Sequence, residues 1–225
     1  MTLLAKLIPK LLLRPTVKNP KADTHNDFRL LVEGGGWANL PHTVQDRFEA
    51  LAANSATTTY CGTMHVKRSS LGLFFAQICR LLGNPLVPHQ GEDVPVDVNV
   101  FAAQGGGICW QRVYKFIGRA PLTVQSVKVV DAKHGLLECI GGGLGMRLKV
   151  FEQDRILHFV SHRYFLQIGQ FHLPIPLAMT PGTLHVEHID EGRSLFRFRL
   201  SFTHPWFGVS FHQDGVFQKK EPHHE

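Results

Sequence analysis

The sequence predicts an α+β fold dominated by a curved antiparallel β-sheet or partly closed β-barrel of about seven to nine strands, with two helices in its first half. Three observations predict it. From Pro88 to the C-terminus, apolar and polar residues alternate with a period of two, the signature of strands with one buried face. The connectors between the alternating runs are short and carry Gly and Asp, which joins consecutive strands as antiparallel neighbours. Helical spacing in the body is confined to two stretches before Pro88.

Residues 1–27 read as a basic amphipathic arm and linker. Leu3, Leu4, Leu7, Leu11 and Leu12 oppose a stripe of Lys6, Lys10 and Arg14, but Pro9 interrupts the helix. The arm is too short and too charged to span a bilayer and lacks a small-residue cleavage site. Packing on its own domain or on a second copy is the preferred role. Peripheral contact with an anionic membrane through residues 1–14 is the alternative. Residues 15–27 carry two prolines and few apolar side chains, as a linker does.

A single β-rich domain is predicted over residues 28–220, with a frayed tail at 221–225. Pro41 opens a helix running through Leu51, with Val44, Phe48 and Leu51 on one face. A strand covers Thr57 to Arg68. A second helix spans Leu71 to Leu82, where Phe74, Phe75, Ile78, Leu81 and Leu82 recur at helical intervals before Gly83. Beyond Pro88, Val94, Val96, Val98 and Val100 begin the two-residue rhythm. Trp110, Arg112, Tyr114 and Phe116 share a face, as do Leu144, Met146, Leu148 and Val150. Phe196, Phe198, Leu200 and Phe202 face away from Arg197 and Arg199 in the clearest strand of the chain. Turns are placed at Gln104–Gly107, Asp131–Gly135, Gln153–Arg155, Asp190–Gly192 and Asp214–Gly215.

Composition bounds the function classes. At 225 residues and 44% hydrophobic content, the chain can bury a core without metals or disulfides. Sixteen Phe against three Tyr and three Trp make the aromatic surface almost wholly apolar, suited to a thick core or to the lining of an apolar cavity. The charge of +6 is mild, and the cations are scattered rather than gathered into a stripe with exposed aromatics, so no nucleic-acid partner is expected. Cys61, Cys79, Cys109 and Cys139 form no CxxC pair, and no secretory signal accompanies them. Reduced thiols in a cytoplasmic protein follow.

No motif forces a chemistry. The glycine clusters 34–36, 105–107 and 141–143 do not open phosphate-cradling helices and read as turns and bulges, the last placed where the sheet bends. His185, Glu187 and His188 suggest metal ligands, but on one strand His188 points away from the other two, and same-face neighbours lie roughly 7 Å apart. His158 and His162 share a face at twice that spacing. No metal site is therefore expected from strand neighbours alone. No serine occupies a GxSxG elbow. The better candidates are charges embedded in aromatic strands: Arg112 beside Trp110 and Tyr114, Arg163 beside Phe165, and Glu187 beside Val186. Facing inward, an Arg and a Glu would grip a polar head group while aromatics hold an apolar tail. Facing outward, each would close an ordinary surface salt bridge. The ligand-binding set is Trp110, Arg112, Tyr114, Arg163 and Glu187.

The stretches LPHTVQDRFEAL, LGLFFAQICRLLGNP, PVDVNV, WQRVYKF, ECIGGGLGMRLKV, FHLPIPLAMTPGTLHVEHIDEGRSLFRFRLSF and HPWFGVSFHQDGVF occur in that order from Leu40 to about Phe217. In these motifs the chain resembles a bacterial family known as a domain of unknown function of the DUF 4166 type. Its members are often fused behind saccharopine-dehydrogenase-like or short-chain reductases. The resemblance singles out Trp110, Arg112, Pro174, Pro176, Glu187, Pro205, Gly208 and Gly215 as recurring positions and assigns them no role. It implies that a reductase partner would supply any cofactor, since this sequence carries no nucleotide-binding half and no cofactor of its own is expected.

Three functions stay open. The first is a binding module whose Phe-rich concave side accepts a lipophilic or anionic-apolar small molecule. The second is an enzyme acting on a small carbonyl or carboxylate compound within a cone-like barrel. The third is an interaction domain with a filled core. Buried titratable groups converging in one pocket would separate the second from the first.

Overall fold

The computed structural model of the protein describes residues 27–53, 57–80 and 86–221. The predicted arm, the linker up to residue 26 and the tail from 222 lie outside the described residues. In chain order the elements are β1 (Val32–Glu33), α1 (His42–Ala53), β2 (Thr58–Arg68), α2 (Ser70–Arg80), β3 (Gly91–Ala102) and β4 (Ile108–Tyr114). There follow β5 (Leu122–Asp131), β6 (Gly135–Gly141), β7 (Leu144–Gln153), β8 (Ile156–Ile168) and β9 (Phe171–Ile175). The chain ends in β10 (Thr183–Gly192), β11 (Leu195–His204) and β12 (Gly208–Lys219).

Strands β2 to β8 form a continuous antiparallel meander, and β10, β11 and β12 continue it from the other edge of β8. Pairing of β12 with β2 closes the ring into a ten-stranded barrel. Two short strands hang on the rim: β1 pairs in parallel with β7, and β9 extends β8. The twelve strands exceed the seven to nine predicted, for a physical reason. Only two residues separate β6 from β7, and an even-length turn does not interrupt a two-residue rhythm, so that hairpin merges in the sequence.

Three turn assignments differ from those predicted, one of them Asp190–Gly192, which lies at the end of β10. Asp214–Gly215 lies inside β12, and the chain reverses at 205–207 instead. Gly141–Gly143 is a hairpin turn between β6 and β7, with φ of 103°, 59° and 79°, rather than a bend within a strand. At β7–β8 and β10–β11 the tight turns fall on Asp154–Arg155 and Arg193–Ser194, all four with positive φ, the geometry that matches the twist of a two-residue hairpin.

The β12–β2 seam is unusually close. A Cβ at Gly215 would lie 2.5 Å from the Thr63 carbonyl oxygen, and one at Gly62 would collide with the Val216 carbonyl. The Phe217 ring occupies the space beside both glycines on the inner face, 1% exposed. Gly215 is thus kept by close backbone approach and not by a turn.

The helices cover opposite ends, because α1 leads into the start of β2 and α2 follows its end. Gln45 ties the entry of α1 by donating to the carbonyls of Trp37 and Leu40 at 3.1 and 2.9 Å. Phe48 then enters the barrel end, fully buried, with its ring 5.0 Å from His188, 5.8 Å from Phe159 and 6.0 Å from Trp110. At the other end, Ser69 caps α2 through the Gly72 N–H at 3.2 Å, and its own N–H donates to the Ser210 carbonyl. The predicted helices begin within a residue of these; the end of the second lies outside the described residues.

His188 is fully enclosed by aromatic rings, and burial, assisted by Arg47 and Lys128, holds its pKa well below the usual histidine range. The neutral imidazole is the form that packs there. An unfolded chain protonates this side chain at about pH 6.5, and the folded chain does so only at lower pH. Stability therefore falls as pH drops below about 6.5. His188→Phe is expected to flatten this acid limb in denaturant titrations at pH 5 and 7, leaving the smaller slope of the partly exposed histidines; an unchanged limb refutes the assignment. Gly215→Val should lower stability by about 1–3 kcal/mol through overpacking at the seam, and a neutral result would show that the seam can open.

Candidate functional site

The barrel interior is not filled. A cavity of about 350 Å³ runs between the ends covered by α1 and α2. Its wall is mainly apolar. Phe196, Phe198, Leu200 and Phe202 of β11 alternate inward, as the sequence pattern indicates, and Phe211 and Phe217 come from β12. Trp110 and His188, resting against Phe48, form the floor. Phe75, Ile78 and Cys79 of α2, with Met179 and Pro181 from the β9–β10 connection, line the opposite end, where Ile78 and Met179 are exposed.

A small polar group is set into this wall. Lys128 and Glu138 are adjacent across β5 and β6, and their side chains meet at 3.2 Å with only 11% and 8% exposure. Burial alone would raise the Glu138 pKa; Lys128, the Ser126 hydroxyl and Arg112 outweigh it and hold the carboxyl below its ordinary range. Lys128 is lowered by burial against the pull of Glu138. Its ammonium also sits over the Trp110 ring at 5.3 Å. Tyr114, fully buried, donates to Gln213 at 3.0 Å.

Arg112 projects from β4 between Val98 and Val124 of the neighbouring strands. Its Nε is buried without a hydrogen-bond partner, as are Trp110 Nε1 and His188 Nδ1, and it makes no ion pair among the described residues. The inward group therefore holds two cations, Arg112 and Lys128, against one carboxylate, Glu138. The cavity carries a positive surplus in an apolar wall, a setting in which an anion is strongly attracted.

The sequence-predicted residues divide into two groups. Trp110, Arg112 and Tyr114 line the cavity together. Arg163 and Glu187 do not join them, which corrects the inward expectation. Arg163 is exposed on the outer face of β8, and Glu187 faces outward from β10, paired with Arg199 at 3.2 Å. Both alternate with true wall residues, Tyr164 and Val186, so the strands were read correctly and the face was not. Lys128 and Glu138 escaped the sequence reading, although each shares its face with apolar neighbours, Val124 on β5 and Leu136 and Ile140 on β6.

All four cysteines are free thiols. Cys79 reaches the cavity, but burial pushes its thiol up to about 11, as it does for Cys139, so neither is a thiolate nucleophile near neutral pH. The outer wall is polar: Arg197 and Arg199 of β11 form ion pairs with Glu191, Glu187 and Asp214 at 2.6 to 3.5 Å. This apolar-in, charged-out pattern is the reverse of a lipid-facing barrel wall. No helix among the described residues is long and apolar enough to cross a membrane.

Comparison with curated proteins and with solved structures found no match. A family model does match: the one described as Domain of unknown function (DUF4166) covers residues 40–217, which takes in α1, α2 and the barrel up to Phe217. The chain belongs to this family.

Proposed function

We propose that the barrel is a small-molecule binding module that encloses a lipophilic compound with an anionic head, the tail against the phenylalanines of β11 and β12 and the head at Arg112. The observation that carries this reading is an apolar cavity whose one guanidinium has a buried Nε without a hydrogen-bond partner and makes no ion pair among the described residues. Its volume of about 350 Å³ falls at the small end of ligand cavities, roughly 300–1,000 Å³. An interaction module with a filled core does not describe a barrel with this void. The reductase partner implied by the family's fusions would act on the held compound, with the barrel presenting it.

The buried Lys128–Glu138 pair favours a second reading, an enzyme acting on a small carbonyl compound. A lysine with a lowered pKa in an enclosed site is a candidate for imine formation with a carbonyl, water being the leaving group. Against it, the ammonium is held by Glu138 at 3.2 Å, which opposes loss of its proton.

Two measurements separate these readings. Native mass spectrometry of protein from its source host should show a co-purifying apolar anion. In titrations, Arg112→Ala should weaken dodecanoate by about tenfold or more, the loss of a charge-assisted hydrogen bond, while dodecanol binding stays unchanged. Equal affinity of wild type and variant for dodecanoate, with folding intact, removes Arg112 from the site. Incubation with dodecanal and a borohydride should leave Lys128 unmodified if the module only binds; a reduced adduct on Lys128, absent in Lys128→Met, would instead establish the enzymatic reading.

A further inference from the structure

On the outer wall, away from the cavity, three side chains with metal-binding chemistry converge from two strands. The register of β8 against β10 sets His158 directly opposite Glu187, with His185 two residues along β10 on the same face. Residues directly opposite lie about 5 Å apart at Cβ, and diagonal ones remain within reach of long side chains. One ligand atom from each of His158, His185 and Glu187 falls within 4.8 Å of the others. The spacing along β10 that argues against a site on one strand is bridged by His158 from the next.

We propose that His158, His185 and Glu187 form a binding site for a divalent transition cation of the zinc type. The nitrogens that would bind it already face each other, His158 Nδ1 to His185 Nε2 at 2.9 Å. Two ligands at about 2.0–2.1 Å from a tetrahedral zinc ion are about 3.3 Å apart, so the cation takes the place of the shared proton with a small outward turn of the rings. The imidazole that donates in the metal-free pair moves that proton to its other ring nitrogen, and no proton is lost from the pair. His158 is fixed for this role. Phe151 stacks on its ring at 5.0 Å, which restrains the orientation of the imidazole.

Glu187 supplies the third ligand and keeps its ladder contact. Arg199 donates to Oε2 at 3.2 Å, which leaves Oε1 for the cation. Two neutral imidazoles and a carboxylate select zinc, cobalt or nickel over magnesium or calcium, which take oxygen ligands. Three protein ligands leave the fourth position to water. The site sits on the opposite face of the same strands as the cavity wall, so its occupancy is separable from ligand binding inside the barrel.

The test is titration of the chelator-stripped full chain with Zn²⁺ by calorimetry and with Co²⁺ by visible absorption, in a His223→Ala, His224→Ala background that removes the terminal histidines. One saturable site per chain is expected, with a tetrahedral Co²⁺ spectrum and a Tm raised by Zn²⁺. His185→Ala should weaken Zn²⁺ by more than about a hundredfold and abolish the Co²⁺ band, while Glu187→Gln, which keeps the shape, should weaken it by about tenfold or more. His158 is the most buried of the three, so the half-buried His185 carries the decision. Absence of a saturable site, or His185→Ala binding as tightly as its parent, overturns the proposal.

Discussion

The pairing of β12 with β2 is the constraint on which the rest of the structure depends. Every other neighbour in the barrel is joined by a short connection, except β2 and β3, which are joined through α2, and β8 and β10, which are joined across the β9 excursion. The seam alone joins the two ends of the sheet, through nine residue pairs from Phe211–Arg68 to Lys219–Tyr60. It forms only because Gly62 and Gly215 let the two backbones approach and leave Phe217 room on the inner face. Without it the sheet would keep two long free edges, which proteins avoid by closure.

Closure at ten strands also explains the void. Barrel diameter grows roughly linearly with strand number, and about eight strands enclose a space that side chains just fill or that holds one small ligand. Ten strands push opposite walls beyond the reach of even an interior rich in phenylalanine. The chain compensates at the ends, where Phe48 of α1 enters one opening and Phe75 of α2 covers the other. The middle has no such filler. There the polar group of Arg112, Lys128 and Glu138 stands, and because only one of the two cations has a carboxylate at contact distance, the interior is electrostatically as well as sterically incomplete.

Much of this was legible in the sequence, and the failures have definite causes. The valines of β3 and the phenylalanines of β11 identify their inner faces, because one face is wholly apolar. Trp110, Arg112 and Tyr114 were placed together because a shared parity on one strand is a local property. Arg163 was misplaced because Phe165, two residues along and so on the same face, is buried against His172 of β9 and not in the cavity, and Glu187 because its immediate neighbour Val186 takes the opposite face. Lys128 and Glu138 lie on apolar faces of separate strands, and only the β5–β6 pairing turns two isolated anomalies into an ion pair. The approach of His158 to Glu187 rests on the register of β8 against β10, which no spacing within either strand encodes.

That register is enforced from both sides of the wall. On β10, Val186 and His188 point into the aromatic interior while His185 and Glu187 point out. A slip of one residue would exchange them, burying the Glu187 carboxylate among Phe159, Phe196 and Phe198 and exposing the valine. A carboxylate left unpaired in such surroundings costs several kcal/mol. In the native register the same carboxylate meets Arg199, which in turn meets Asp214 across β11 and β12. The apolar packing inside and the charge ladder outside therefore select one alignment, and that alignment is what creates both the cavity floor at His188 and the histidine pair behind it. Neither feature could be relocated along the strand without forfeiting the other.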